Sequence, residues 1–266
     1  MNRIDQTFGR LRGGRKKALI IYIMAGDPDL ATTERLVLEL GKTGADIIEL
    51  GVPFSDPIAD GPVIQRAAER ALKSKTTLAA ILAMVARLRE RTDVPLVLMT
   101  YENPIFKYGE PRFVDDAVKA GVDGVIVPDL PMEEAAPLQA RCKRQGLDLI
   151  FLAAPTSPAA RLKKLAEVSR GFIYYVSMTG ITGAKLNDLT DVRRQVEALK
   201  RMTDKPVAVG FGVSTPDQAK RVAEIADGVI VGSAVVKVIE EAGAQSVEKV
   251  STFVRTLKEA VGGASS

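Results

Sequence analysis

Residues 46–62 read DIIELGVPFSDPIADGP, a short apolar strand followed by a loop that carries two acids and three prolines. The strand places Glu49 among isoleucine and leucine residues, where a core-facing pattern does not call for a charge. Because burying an unpaired carboxylate is costly, we expect Glu49 to hold its proton more tightly than an exposed glutamate does. A carboxyl group that can be neutral or charged near pH 7 is suited to acid–base chemistry.

Units of this kind recur along the chain as short runs rich in Ile and Val, each followed by a helical pattern. The runs do not alternate apolar and polar residues, which is typical of strands covered on both faces in a parallel sheet. Several helical patterns stop at a glycine, such as Gly44, Gly121 and Gly146. Eight strands are predicted, at residues 19–24, 46–50, 95–100, 124–127, 148–152, 171–176, 206–209 and 228–231.

Eight such units in 266 residues predict a (β/α)8 TIM barrel with additional N-terminal and C-terminal helices, and residues 1–266 as a single domain. An open doubly wound sheet is the competing architecture. It is disfavoured because no G-x-G-x-x-G follows the first strand, where Gly26-Asp27-Pro28 stands instead. In a barrel, the residues at the C-terminal ends of the strands form the active site.

The composition excludes several kinds of site. The chain has no histidine, so a Ser-His-Asp triad and a histidine-ligated zinc are unavailable, and no metal site is expected. The single cysteine, Cys142, cannot form an internal disulfide. The net charge is only +4, and we interpret the basic residues 10–17 as a solvated entry segment rather than a nucleic-acid-binding arm. With no secretory signal and no apolar run of roughly 20 residues, a cytoplasmic protein that binds no membrane is predicted.

Two glycine-bearing segments, at residues 210–214 and 232–234, end the seventh and eighth predicted strands and lead toward helices. Backbone N–H groups at a helix N-terminus attract anions. Neither segment contains Lys or Arg, which suits one terminal phosphate held by backbone donors; tight βα turns are the alternative interpretation. The sixth loop, from Ser177 to about Asp188, has two glycines and predicts a mobile lid, with a long surface loop as the alternative.

Four aromatic residues lie near the predicted strand ends, where they could line a flat apolar pocket or simply belong to the core: Tyr22, Tyr101, Tyr174 and Phe211. Two further acids sit in the same loops. We interpret Asp56 as a loop or interface residue and Asp129 as a residue that organises its loop.

Taken together, the motifs resemble those of the α subunit of tryptophan synthase, from about residue 3 to about residue 260. The most specific match is residues 49–62, and it is supported by residues 99–104, 128–131, 174–183, 210–212 and 231–234. The resemblance implies cleavage of indole-3-glycerol phosphate to indole and glyceraldehyde 3-phosphate in tryptophan biosynthesis. It also implies that Glu49 and Asp60 are the catalytic pair.

The resemblance implies a set of substrate contacts as well. The phosphate contacts would be Gly183, Phe211, Gly212, Gly232 and Ser233, the indole contacts Tyr22, Met99, Tyr101 and Leu152, and the further substrate-binding residues Tyr174 and Thr182. No cofactor is expected on this chain. A β-subunit partner, in an α2β2 complex, would carry pyridoxal phosphate and join the indole to serine.

The chemistry of the two acids agrees with such a retro-aldol cleavage. Glu49 can give a proton to indole C3 and take one from the neighbouring hydroxyl, while an ionised Asp60 stabilises the ring N–H. Three alternatives remain open: another phosphate-binding barrel lyase or isomerase, a catalytically silent subunit that activates a partner, and a free-standing lyase without a β subunit. Glu102, an acid near the site, leaves the detail of the third loop open.

Overall fold

The computed structural model describes residues 2–176, 189–210 and 212–262, and within them nine strands form one parallel sheet. The strands are β1 (Ala18–Met24), β2 (Ile47–Gly51), β3 (Leu96–Met99), β4 (Gly124–Ile126), β5 (Asp148–Ile150), β6 (Leu152–Ala153), β7 (Ile173–Val176), β8 (Val207–Gly210) and β9 (Gly228–Val231). Their order in the sheet is β5-β4-β3-β2-β1-β9-β8-β7-β6.

The two ends of this order meet in one stretch of chain. β5 and β6 are separated only by Phe151; β5 pairs with β4, and β6 pairs with β7. The fifth predicted strand is therefore divided, because the backbone N–H of Phe151 donates to the Ser169 hydroxyl (3.2 Å) rather than to a neighbouring strand. With these two segments taken as one barrel strand, the predicted (β/α)8 barrel is confirmed.

Helices cover the outside of the sheet. They are α1 (Arg3–Gly13), α2 (Leu30–Thr43), α3 (Pro62–Lys73), α4 (Leu78–Leu88), α5 (Glu102–Tyr108), α6 (Glu110–Ala120), α7 (Ala136–Gln145), α8 (Ala159–Val168), α9 (Thr190–Met202), α10 (Pro216–Ala223), α11 (Ser233–Ala242) and α12 (Ser246–Gly262). The predicted glycine stops are found: Gly44, Gly121 and Gly146 take the left-handed conformation after α2, α6 and α7. None of the helices in the described ranges is long and apolar enough to span a bilayer.

The additional N-terminal helix closes one end of the barrel. Ile4, Phe8 and Leu11 of α1 are buried against the inward-facing residues of the strands, including Ile20 and Ile230. Residues 10–17 were interpreted as solvated, and this is wrong for Leu11, whose side chain belongs to that buried cluster. The periodic apolar positions of α1 decide its packing, and only its outer face is basic.

Acidic residues mark the same N-terminal end of the strands. Asp46, Asp123 and Asp227 each precede a strand and accept the backbone N–H of a residue at the start of a neighbouring strand, at 2.8–3.0 Å. Each of these acids also faces a basic side chain: Lys258 for Asp46, Arg89 for Asp123 and Lys200 for Asp227. Asp148 differs in its partners, which are the side chains of Asn2 and Arg170.

Candidate active site

Glu49 lies in the middle of β2 and is completely buried. Among the described residues, neither oxygen of its carboxyl group has a hydrogen-bond partner. Removal from water disfavours the charged form, and it raises the pKa of Glu49 from 4.5 to about 8. The predicted tight hold on the proton is therefore found in the structure, and its physical cause is burial.

Asp60 lies at the end of the loop between β2 and α3, two residues before the helix begins. Burial raises the pKa of its carboxyl from 3.8 to about 6, and a hydrogen-bonding interaction with the Tyr101 side chain lowers it in part. The Tyr101 hydroxyl also accepts the backbone N–H of Ala59 at 3.0 Å. The Tyr101 ring lies 5.3 Å from the ring of Phe54, so this tyrosine holds both ends of the loop.

The two acids thus have different protonation behaviour. Between about pH 6 and about pH 8, Glu49 is mainly neutral while Asp60 is mainly ionised. A neutral acid and a nearby carboxylate held in one site can divide the tasks of proton donor and charge stabiliser. The division arises because the two groups are buried to different depths and because the Tyr101 hydrogen bond lowers the pKa of Asp60, with no charged partner among the described residues.

Tyr22 and Tyr174 bring the pocket walls close to both acids. Tyr22 is the cross-strand neighbour of Glu49. Burial, and after it the charges of Asp60 and Glu49, raise the pKa of both tyrosines well above 10. The charges of both acids thus act on both tyrosines, and Tyr22 is the direct neighbour of Glu49 across β1 and β2.

Two glycines make room for these rings. A Cβ atom on Gly51 would lie 2.0 Å from the Tyr22 hydroxyl, and a Cβ on Gly210 would lie 2.7 Å from that of Tyr174. No side chain larger than hydrogen fits beneath either ring while the ring keeps its place. Met99, the last residue of β3, packs against the cluster that contains Tyr22, and Leu152, the first residue of β6, is the cross-strand neighbour of Tyr174. Tyr22, Met99, Leu152 and Tyr174, all predicted to bind substrate, therefore lie on the inner face of the strands, and Tyr101, predicted with them, contacts the Asp60 loop.

The predicted phosphate-binding position lies at the start of α11. Ser233 is the first residue of that helix, Gly232 precedes it, and no side chain caps the helix N-terminus. By contrast, the Thr215 side chain caps α10 by accepting the backbone N–H of Gln218. A Cβ on Gly232 would lie 3.4 Å from the Cβ of Tyr22, which places the uncapped end beside the pocket. Gly212 has a φ of +73°, a conformation that favours glycine.

Three predicted residues lie outside the described ones: Thr182, Gly183 and Phe211. The sixth loop, predicted to be a lid, lies outside them for the same reason. Asp129 acts as the loop organiser that was predicted, since it accepts the backbone N–H of Glu102 at 3.0 Å and holds the start of α5. Within the described part of the chain, no group of three or more acidic, cysteine or histidine side chains is placed to hold a metal ion.

Sequence reasoning missed how the Asp60 loop is held. Tyr101 was predicted as an indole contact, and its bonds to Ala59 and Asp60 cross 42 and 41 positions of sequence, respectively, so no local pattern could reveal them. It also missed the ion pairs that fix α3, between Arg70 and both Asp27 and Glu240. The sequence pattern that could have indicated these ion pairs is Arg66 and Arg70, one turn apart, but such a pair more often lies on a solvated helix face.

Comparison with known proteins gives the same result at the level of whole chains. The family model described as "Tryptophan synthase alpha chain" matches residues 8–262. A tryptophan synthase alpha chain from Geotalea uraniireducens is 55% identical, covering 99% of this chain and 100% of the relative. One from Neisseria meningitidis serogroup B is 50% identical, covering 98% of this chain and 100% of the relative.

Solved structures agree in fold. The crystal structure of tryptophan synthase subunit alpha from Legionella pneumophila superposes with a TM-score of 0.92 at 42% identity, covering 98% of both chains. A chain from the aminoacrylate-bound form of tryptophan synthase from M. tuberculosis gives a TM-score of 0.88 at 37% identity, covering 98% of this chain and 100% of that one. The barrel described above is therefore the fold of these proteins.

Proposed function

Because this chain belongs to the tryptophan synthase alpha chain family and is an indole-3-glycerol-phosphate lyase of tryptophan biosynthesis, we propose that Glu49 and Asp60 carry out the cleavage. The observation that carries the proposal is the buried carboxyl of Glu49, which has no partner among the described residues and is neutral near pH 7. A buried acid without a structural partner is costly, and a catalytic role accounts for its presence.

The proposed reaction begins with proton transfer to carbon. Neutral Glu49 gives its proton to C3 of the indole ring, and the ring nitrogen, which keeps its hydrogen, becomes positively charged. The carboxylate of Asp60 stabilises that charge. Placing an ionised group where charge develops lowers the barrier without affecting the ground state to the same extent.

The second step breaks the carbon–carbon bond. Glu49, now a carboxylate, takes the proton of the side-chain hydroxyl next to C3. The side-chain carbon that carries this hydroxyl becomes the aldehyde of glyceraldehyde 3-phosphate. The electrons of the broken bond return to C3 of the ring and neutralise the ring nitrogen. Glu49 is protonated again at the end, so one residue performs both transfers and the cycle closes.

The remaining pocket residues contact different parts of the substrate in this proposal. Tyr22, Met99, Tyr101 and Leu152 hold the indole, and Tyr174 and Thr182 are further substrate-binding residues. The uncapped start of α11 at Gly232 and Ser233, with Gly183, Phe211 and Gly212, holds the phosphate through backbone N–H groups. The proximity of Gly232 to Tyr22 supports this, because it brings the ends of the substrate together in one pocket.

The proposal includes a β-subunit partner at the C-terminal end of the barrel, in an α2β2 complex to which indole is passed. Two large apolar side chains support it: Ile58 in the Asp60 loop is 84% exposed, and Phe106 in α5 is 79% exposed. Exposed apolar side chains of this size beside a functional site mark an interaction surface. The matched M. tuberculosis chains, which come from structures of tryptophan synthase, support the same partner.

The test is indole release from indole-3-glycerol phosphate by the purified full chain, with and without a β subunit. Wild type, Glu49→Gln and Asp60→Asn are compared. We expect Asp60→Asn to lower kcat by about 10²–10³-fold with KM changed little, since its charge acts on the transition state. If Asp60→Asn raised only KM, Asp60 would be a binding residue. Full activity without the β subunit would favour a free-standing lyase.

A further inference from the structure

A cluster of three charged side chains, Asp27, Arg70 and Glu240, joins three elements near the active site. None of the three takes part in the proposed cleavage steps. Asp27 lies in the loop after β1 and is only 1% exposed. The guanidinium of Arg70, on α3, donates to both oxygens of Asp27, at 2.7 and 2.8 Å. Its third nitrogen donates to Glu240 of α11, at 2.8 Å. One side chain thus connects the β1 loop, α3 and α11.

The two bonds from Arg70 to Asp27 fix the relative orientation of the two side chains. A planar guanidinium that meets a carboxylate with two parallel bonds fixes both distance and angle, which a lysine cannot do. Two further polar contacts hold α3: Arg66 also pairs with Glu240, and the Ser74 hydroxyl at the C-cap donates to the Gly26 carbonyl at 3.0 Å. The apolar part of the contact is built from small residues, Ala67, Ala68 and Ala71, which pack with Tyr22, Met24 and Val236. Such a smooth face defines the position of the helix along its axis only weakly, so the polar contacts set it, and the paired Arg70–Asp27 bonds (the Arg70 fork) fix both distance and angle to the β1 loop.

The position of α3 matters because the helix carries Asp60. α3 begins at Pro62, and the residue before it, Gly61, makes no side-chain cap. The amide of Gln65, also on α3, donates to the backbone oxygen of Asp60 at 2.8 Å. A shift of α3 therefore moves Asp60 with it, relative to Glu49 on β2.

The same cluster reaches the phosphate-binding position. Glu240 lies seven residues, about two turns, beyond Ser233 on α11. Its carboxylate accepts hydrogen bonds from Arg66 as well as Arg70. The hydrogen bonds from Arg66 and the charges of both arginines lower the pKa of Glu240 to about 2, so the group is ionised at neutral pH. Arg70 is thus linked through α3 to Asp60, which stabilises the ring charge in the proposed reaction, and through Glu240 to the helix proposed to hold the phosphate.

We propose that Arg70 is a positioning residue that sets Asp60 against the phosphate-binding end of α11 through its paired bonds to Asp27 and Glu240. The proposal rests on the proposed function, since it concerns where Asp60 stands in that reaction. A displacement of about 1 Å at a reacting group can cost about 10²-fold in rate. Loss of the Arg70 fork should therefore lower kcat and leave substrate binding largely intact.

The experiment compares Arg70→Met and Arg70→Lys with Arg66→Met in the full chain, below the unfolding transition of each variant. Arg66 is the matched control, because it lies one turn away on α3 and binds the same Glu240 but does not contact Asp27. We expect kcat to fall about 10–100-fold for Arg70→Met with KM within about threefold, and about twofold or less for Arg66→Met. Arg70→Lys should recover little of the loss, because it restores the charge but not the fork.

A double-variant cycle separates positioning from a merely structural role. In the Asp60→Asn chain, assayed with enzyme in excess over substrate, Arg70→Met should cost less than about threefold, because the carboxylate that it positions is gone. If Arg70→Met cost the same factor in both chains, or raised KM with kcat unchanged, the proposal would be overturned. Arg70→Lys enters the same cycle if Arg70→Met fails to fold. An Asp60→Asn chain with wild-type activity would instead overturn the proposed function, so the two failures are distinguishable.

Discussion

Two buried carboxyl groups, Asp123 at the N-terminal end of the barrel and Glu49 at the C-terminal end, have opposite surroundings. Asp123 accepts a backbone N–H and faces Arg89, and the partly buried Asp46 and Asp227 at the same end also accept a backbone N–H and face a lysine. At the C-terminal end, Glu49 is equally or more deeply buried, yet among the described residues its oxygens have no hydrogen-bond partner. The difference teaches that burial alone does not give a carboxyl its task, because the hydrogen-bond partners of each group decide it.

Ionisation contributes to folding stability with opposite signs at Asp123 and at Glu49. A buried acid with hydrogen bonds and a counter-charge contributes to stability in its charged form, and removing its partner leaves a charge buried alone. A buried acid without a partner is retained as the neutral form, and it costs stability whenever it ionises. Removing the charge should therefore destabilise the protein at Asp123 and stabilise it at Glu49.

The largest expected effect is on the activity of Glu49→Gln. One general acid–base group contributes about 10²–10⁴-fold, and a residue with two proton transfers should lie at or beyond the top of that range. Indole release, measured at the pH optimum of the wild type, checks this. A variant that keeps more than about a tenth of the wild-type rate would show that another residue moves these protons.

The same variant should be more stable than the wild type. A carboxyl whose pKa rises from 4.5 to about 8 on folding contributes stability that is complete below pH 4.5 and is lost as the pH rises toward 8. Glutamine cannot ionise, so the advantage of Glu49→Gln should grow from about pH 5 to about pH 8. Urea unfolding at both pH values measures it, and an advantage that shrinks with rising pH would contradict the assignment.

At the other end of the barrel, Arg89→Met should destabilise. Arg89 donates to Asp123 at 2.7 Å, and both side chains are nearly buried, with Arg3 at 3.2 Å as the remaining basic partner. We expect a loss of about 3 kcal/mol in the free energy of unfolding, the lower end of the range for broken buried pairs. The folded fraction should keep kcat within about twofold, and a selective loss of kcat would mean that this end influences the chemistry.

A smaller effect is expected at the start of α11. Ser233→Asp places a negative charge where the uncapped backbone N–H groups would receive phosphate, and affinity for glycerol phosphate should fall about 10–100-fold. Thr77→Asp is the matched control, because Thr77 is also exposed at a helix start, but its side chain already caps α4 and it lies outside both glycine-bearing segments. Equal losses for both variants would place the phosphate elsewhere.

The smallest expected effect is a shift in pH dependence. The rate should rise with pH as Asp60 ionises near pH 6 and fall as Glu49 ionises near pH 8. The Tyr101 interaction lowers the pKa of Asp60, so Tyr101→Phe should move the acid limb of kcat/KM to higher pH by less than about one unit. Comparison with the wild type cancels the titration of the substrate phosphate. An acid limb that moves to lower pH would contradict this view of Tyr101.

The sequence predicts what depends on local pattern. Runs of Ile and Val define the strands, and the charge at Glu49 stands out because everything around it is apolar. One element escaped for a local reason, because α5 is only seven residues long and contains Pro104. The break at Phe151 also could not be foreseen, because it depends on a serine 18 positions away.

In the candidate active site, the sequence predicts which residues take part but not the contacts that hold them in place. The acids and tyrosines at the strand ends could be named because barrel geometry brings strand ends together. The bonds that place them could not, since Tyr101 reaches Ala59 and Arg70 reaches Asp27 across more than 40 residues. Distances of this kind depend on how helices pack on the finished sheet.

The N-terminal helix also affects the route by which substrate enters and products leave. Because Ile4, Phe8 and Leu11 fill the barrel at its N-terminal end, the substrate cannot pass there, and we expect it to enter and both products to leave at the end where Glu49 and Asp60 lie. A β subunit bound over that end, as proposed, would receive the indole as it leaves.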